Sequence, residues 1–253
     1  MTSPAAILVG ESSPILRAVA LRLASRGMSI VLAGPDADQL SAVAAELEEA
    51  GYDARSLLAD PAVSGEMGRM AEAARGEFGE VRVLVSCPPV PRDRTELADG
   101  EQGSCCGASL DACLRATLEV APHLAIDGSG RIVHLVSSTA RYRSGYFLAP
   151  PRSHAQEAAA GGALLALTRQ LALELAPRQI RVNAVVAGLI EGRGRPEWLA
   201  MSDRERRFVL QEISLGRLGR PDEVAAAVEF LALDASSYVT GTAIDVNGGW
   251  WMS

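Results

Sequence analysis

The residues of this 253-residue chain that could do chemistry crowd into one stretch, 131–190. A short apolar run from Ile132 to Ser137 ends in serines, a long Ala/Leu segment follows, and a second apolar run spans Ile180 to Val186. Strand, helix, strand in that order is the sequence form of a parallel crossover unit. Ser137 closes the first strand. Tyr142, Tyr146, His154 and Glu157 follow it, with Arg143 and Arg152 among them. A serine beside a His154 or Glu157 base can support elimination or hydrolysis without a cofactor. A tyrosine, with a pKa of about 10 when unassisted, becomes a useful base only next to a cation. Tyr142 or Tyr146 with Arg143 or Arg152 could form such a pair. The plainer reading of Ser137 is a turn cap.

These side chains need a scaffold, and the rest of the chain supplies its pattern. Ala6–Val9 reads as a short buried strand, and Ser29–Ala33, Ala54–Ala59 and Val81–Val85 read as further strands. Helical spacing over Ile15–Arg26, Asp38–Ala50 and Val63–Phe78 separates them, and Gly27 ends the first helix. This alternation predicts an α/β fold, a doubly wound parallel sheet with right-handed crossovers, forming a single Rossmann-type domain over residues 1–253. Residues 88–108 are polar and rich in Pro and Gly, and read as a loop with at most one helical turn; a helix over Ser109–Leu124 follows.

Composition narrows the function classes. Hydrophobic residues make up 48% of the chain and aromatics only 4%, a core of Ala, Val, Leu and Ile suited to a helix-covered sheet. A net charge of −7 gives no reason to expect a nucleic-acid or membrane partner. No apolar run reaches the roughly 18 residues of a membrane span, and MTSPAAILVG is too short for a signal peptide, so a soluble cytoplasmic protein is expected. Cys87, Cys105, Cys106 and Cys113 are then expected reduced. Without C-x2-C spacing or a nearby histidine they suggest no metal.

The first strand-to-helix turn is the place for a dinucleotide. Such a turn needs glycine where the backbone bends, where it approaches pyrophosphate, and where helix packs on strand. Here it reads Val9-Gly10-Glu11-Ser12-Ser13-Pro14-Ile15-Leu16. Gly10 holds the first position, but Pro14 and Leu16 hold the second and third. Proline donates no N–H, leucine is expected to crowd the nucleotide, and Glu11 adds negative charge. A tight turn with Pro14 at the first helical position fits better than a phosphate loop.

Over essentially its whole length the chain resembles the short-chain dehydrogenase/reductase family. The resemblance rests on RIVHLVSS before Ser137, on LTRQLALELA in the long helix, and on residues 215–249, with Gly-Arg-Pro-Asp-Glu-Val-Ala and Tyr-Val-Thr-Gly. It implies a seven-stranded sheet flanked by helices, a nicotinamide dinucleotide, and a catalytic serine, tyrosine and lysine. Ser137 matches the serine. Counting back from LTRQLALELA puts Glu157 at the tyrosine and Gly161 at the lysine; counting forward from Ser137 gives Pro150 and His154. The registers differ by 7 residues, implying an insertion within 139–153, and no Tyr-x-x-x-Lys occurs anywhere. Ser86-Cys87-Pro88-Pro89 replaces the family's Asn-Asn-Ala-Gly loop, and Ser109 falls near its relay asparagine. Asp36 comes late for a ribose ligand. Asp60 matches the family's adenine-contacting aspartate, and Gly188 keeps one position of its Pro-Gly-x-x-x-Thr segment. The catalytic remnant is therefore Ser137, with His154, Glu157 and Tyr146 as weaker stand-ins; the cofactor remnants are Gly10, Asp60 and Gly188. Residues 192–212 match the family's variable lid, where Trp198, Leu199 and Phe208 are expected to pack as core.

By resemblance, the parts that match best, helix Ala158–Ala176 and residues 215–249, are the family's subunit interfaces. Loss at the cofactor and catalytic positions with retention at assembly surfaces is not what random decay produces. The expectation is a non-catalytic structural subunit that binds no cofactor itself and pairs, as a heterodimer or heterotetramer, with an active paralogous subunit holding NAD. Such pairs occur among hydroxyacyl-CoA dehydrogenases, including the one acting on 2-(hydroxy(phenyl)methyl)succinyl-CoA. Two alternatives stay open. One is a cofactor-independent enzyme for elimination, cyclisation or dehalogenation through Ser137; the other is a regulatory protein sensing NAD(H) through Gly10 and Asp60.

Overall fold

The computed structural model describes residues 3–87, 102–141, 151–192, 198 and 200–252; for Ala37, 102–109 and 151–156 it describes the backbone alone. Seven parallel strands, β1 (Ala5–Val9), β2 (Ser29–Gly34), β3 (Ala54–Leu58), β4 (Val81–Ser86), β5 (Arg131–Ser137), β6 (Arg181–Ala187) and β7 (Ala243–Val246), lie in the order β3-β2-β1-β4-β5-β6-β7. The order reverses between β1 and β4, the switch point at whose carboxyl edge ligands bind in such sheets. β1, β2 and β4 are buried along almost their whole length and β5 and β6 up to their last residue, as a sheet covered on both sides requires. The edge strand β3 is largely uncovered, with Leu58 71% exposed.

Helices α1 (Pro14–Ala24), α2 (Ala37–Glu49) and α7 (Pro221–Ala232) cover one face, packing on Ala6, Leu8, Ile30, Leu32, Val83 and Val133. Helices α3 (Glu66–Phe78), α4 (Gln102–Val120) and α5 (Pro151–Leu175) cover the other, on Ile7, Val9, Val31, Leu84 and Ile132. A short helix α6 (Asp203–Glu212) lies in the lid segment. No helix among the described residues is long and apolar enough to cross a membrane.

Local chemistry sets the helix ends. Ser13 accepts the Leu16 N–H at 3.1 Å and Pro14 opens α1, where a missing N–H costs nothing. Asp36 caps α2 through the Gln39 N–H at 3.1 Å. Ser202 and Glu205 form a reciprocal capping box on α6.

Two helices begin earlier than the sequence pattern predicts. α4 starts at Gln102, inside the stretch expected to be loop, and α5 starts at Pro151 rather than Ala158. Gly103 and Gly107 weaken the local helical signal of α4, but a helix packed on its neighbours extends through such positions. Pro151 is compatible with the first helical position of α5.

Candidate functional site

Three strand ends meet at the switch point, and they nest tightly. Gly10 donates its N–H to Ala33 at 2.9 Å, and Cys87 donates to Val9 at 2.8 Å. A Cβ on Gly10 would lie 2.4 Å from the Cys87 carbonyl oxygen, and one on Gly34 would lie 2.4 Å from the Gly10 carbonyl oxygen. With φ at +151°, Gly10 also holds a backbone conformation that side chains rarely adopt. Gly10 is thus required by strand-end packing whether or not a phosphate lies nearby. Asp60 has a local task as well, accepting the Ala62 N–H at 2.8 Å while its own N–H donates to Glu66 at 2.7 Å. Gly188 donates to Val246 at 2.9 Å, and a Cβ there would lie 2.7 Å from the Asn247 Cα.

The loop after β6 closes onto the first turn. A Cβ on Gly192, whose φ is +137°, would lie 2.7 Å from Cγ of the Pro14 ring. Pro14 therefore offers a partly covered ring in place of an N–H. The open groove beside this turn runs along the outside of α1, past Ser12, Pro14, Arg17, Leu21 and Gln39. Leu16 corrects one expectation: its side chain is fully buried in the core with Val19 and Ala20, so helix packing holds it, and it does not crowd the groove.

Of the two thiols beneath the turn, Cys113 is buried and Cys87 half-buried. Burial, then the neighbouring Cys113, then the Glu11 carboxylate push the Cys87 thiol up to about 12. Burial pushes Cys113 up to about 11, against a 3.3 Å hydrogen bond from Ser86. Both are free thiols. That Glu11 acts on Cys87 places its negative charge near the strand ends, where a pyrophosphate would need positive potential.

Ser137 ends β5 half-buried and caps the short turn Ser138–Ala140, accepting from the Thr139 hydroxyl at 3.0 Å and the Thr139 N–H at 3.4 Å. That turn packs against α5 at the position aligned with the family's lysine. A Cβ on Gly161 would lie 2.6 Å from the Ala140 Cβ and 3.4 Å from Val136 Cγ1. Glu157 stands one helical turn earlier on the same side of α5, half-buried. His154 lies on the first turns of α5, where the backbone alone is described; Tyr142, Arg143, Tyr146 and Pro150 lie outside the described residues. The structure thus brings Gly161 against the Ser137 turn, with Glu157 one helical turn earlier on α5.

Other features escaped the motif reading. All 24 basic residues are arginines, so no segment can deliver a lysine from elsewhere. Arg141, just past the serine turn, pairs with Asp245 of β7 at 2.9 Å and lies over the Trp251 ring, 5.7 Å from its centroid. Burial raises the Asp245 carboxyl against the lowering effect of Arg141. Asn247 accepts the Gly249 N–H at 2.9 Å and donates to the Trp251 carbonyl at 2.8 Å, a donation that an aspartate could not make. Trp250 turns the other way, into a small core with Leu189, Met201, Val209 and Ile213 that anchors the lid. Trp198 packs partly on that core, but Phe208, expected inside, is 49% exposed. Val209, the next residue, takes the inward side of the single helical face available, and Leu199 lies outside the described residues.

Residues 9–251 match the family described as enoyl-(acyl carrier protein) reductase. The short-chain reductase protein NovJ of Streptomyces niveus is 32% identical over 250 residues, covering 96% of this chain and 92% of that one. The (2S)-((R)-hydroxy(phenyl)methyl)succinyl-CoA dehydrogenase subunit BbsC of Thauera aromatica is 33% identical over 245 residues, covering 96% and 93%. Among solved structures, the apo form of a short chain oxidoreductase from Pseudomonas aeruginosa PAO1 containing an atypical catalytic center superposes with a TM-score of 0.85 at 27% identity, over 99% of this chain and 98% of that one. With the sheet order, the crossover unit and the matches over nearly the full length all agreeing, the chain belongs to the short-chain dehydrogenase/reductase family of oxidoreductases.

Proposed function

We propose that this chain is a subunit that has lost its own active site, and that it acts as the structural partner of an intact, NAD-dependent member of the same family. The observation that carries this reading is Gly161, pressed against Ala140 in a chain with no lysine. No lysine can stand where the family's tyrosine has one, and an unassisted tyrosine is a poor base at neutral pH. The first turn supports the same reading. A nucleotide needs N–H donors and positive potential there, whereas the chain presents the partly covered ring of Pro14 and the carboxylate of Glu11. The residues do not fit the dinucleotide, which on this reading resides in the partner.

Assembly would be the remaining task. Leu118 of α4 and Leu173 of α5 are exposed at 49% and 73%, and Phe230 of α7 and Tyr238 beyond it are also exposed. These lie on the helix pair and the sheet edge that the family resemblance assigns to subunit contacts. The relative BbsC is by name a subunit of a dehydrogenase, which favours an alcohol or hydroxyacyl-CoA dehydrogenase as the complex. The test is expression alone and together with an intact paralogous dehydrogenase, followed by sedimentation and turnover assays. Co-purification in fixed stoichiometry with no turnover by this chain alone is expected; a homo-oligomer that turns over nicotinamide by itself would refute the reading.

A second reading has one observation in its favour. The similar Pseudomonas aeruginosa structure is described as having an atypical catalytic center, so departure from the family's residues does not by itself exclude chemistry. On that reading Ser137, with Glu157, His154 or Tyr146 as base, would carry a cofactor-independent reaction.

A further inference from the structure

His134, in the middle of β5, is fully buried and bridges two helices. Its Nδ1 lies 2.9 Å from the Thr168 hydroxyl of α5, and its Nε2 lies 3.1 Å from the Thr117 hydroxyl of α4. The Thr168 hydroxyl has one proton and gives it to the Leu164 carbonyl at 2.7 Å. It must therefore accept from His134, which places the imidazole proton on Nδ1 and leaves Nε2 to accept from Thr117. In this chain of hydrogen bonds the neutral ring donates once and accepts once.

No described group nearby would compensate a charge. Ser86 lies alongside on β4, its hydroxyl donating to the Cys113 thiol of α4, and Ala184 lies alongside on β6. Cys113 is the titratable group on that side and is held neutral by burial. Among the described residues no carboxylate or guanidinium contributes to the state of the imidazole; burial pushes it down to about 4. A proton on Nε2 would reverse the bond to Thr117 and leave an uncompensated cation between the helices.

We propose that His134 is an acid-sensitive pin between α4 and α5, and that its protonation releases these two helices from each other and from β5 before the rest of the fold opens. Leu118, Ala159, Ala166 and Leu173 form the exposed face of that helix pair, so release would also disorder the face. That this face carries a partner rests on the reading above; the release itself does not.

Hydrogen exchange of the full chain at pH 7.5 and pH 5.0, corrected for intrinsic rates, tests the pin without any partner. A local opening that lets the imidazole titrate normally is favoured about 30-fold more at pH 5.0, from the ordinary value of about 6.5 and the buried value of about 4. Peptides of α4, β5 and α5 are expected to lose protection by about that factor relative to α1 and α2. Equal loss throughout the chain would overturn the proposal. His134→Gln keeps a donor and an acceptor but does not titrate, so the selective loss should vanish; its persistence would also overturn the proposal. Should that variant not fold, the distribution of exchange in the wild-type chain decides alone.

Discussion

The Cβ that Gly161 lacks would lie 2.6 Å from the Cβ of Ala140, so α5 and the serine turn touch at this glycine. Gly162, the next residue, has no atom within 4 Å of the same construction. The pair makes an internal control. Gly161→Ala should destabilise the chain by about 1–3 kcal/mol through overpacking. Gly162→Ala should stabilise it by about 0.5–1 kcal/mol, because alanine loses less backbone freedom in a helix. Chemical denaturation of both variants checks the contrast, and equal effects would show that the contact is loose.

Restoring the family's residue types should not restore its chemistry. Glu157→Tyr combined with Gly161→Lys supplies both side chains in the register counted back from the helix, yet the lysine has no room beside Ala140 and the first turn keeps Pro14 and Glu11. Turnover of a panel of secondary alcohols with NAD and NADP should stay at background. Activity gained by this double change would mean that the groove still seats a nucleotide.

Ser137→Ala separates the two functional readings. As a cap, the hydroxyl accepts from Thr139, and its loss should cost about 0.5–2 kcal/mol of stability. Turnover of the complex with an intact paralog should remain unchanged. If this chain itself has a cofactor-independent activity that the change abolishes, the second reading is the correct one.

The thiols offer a measurement of pH and burial together. With Cys87 raised to about 12 and Cys113 to about 11, both stay protonated through neutral and mildly alkaline pH. In a background carrying Cys105→Ser and Cys106→Ser, a thiol reagent at pH 8 should label buried Cys113 only on the timescale of opening, half-buried Cys87 slowly because its thiol stays protonated, and both at once after unfolding. Fast labelling of the native chain would show the strand ends at Cys87 to be open.

The fold was legible because its signals are local and repeated. Six short strand-like runs and the helical periods between them define the alternation and the parallel, doubly wound class, while the strand order itself is read from the structure. The early starts of α4 and α5 were hidden, because Gly103, Gly107 and Pro151 read as breakers one residue at a time, while packing is decided over the whole helix. At the site, the mismatches at Pro14, Glu157 and Gly161 are plain in the sequence, as is the lack of lysine. Which of two registers applies is not; the described residues show Gly161 against Ala140, while Pro150 and the side chain of His154, which the other register uses, lie outside them. The remnants Gly10, Asp60 and Gly188 show the opposite limit. Their residue types suggest a cofactor, but each has a packing or capping task visible only in three dimensions. Leu16 looked like an obstruction in the turn, whereas helical phase carries its side chain into the core.

Calorimetric titration of the purified chain with NAD+, NADH, NADP+ and NADPH tests most directly whether its nucleotide site is gone. The expected result is no saturable heat with any of the four at millimolar nucleotide, together with an unshifted melting temperature. Stoichiometric binding at micromolar affinity, abolished by substitutions at Gly10 or Asp60 that leave the chain folded, would contradict it.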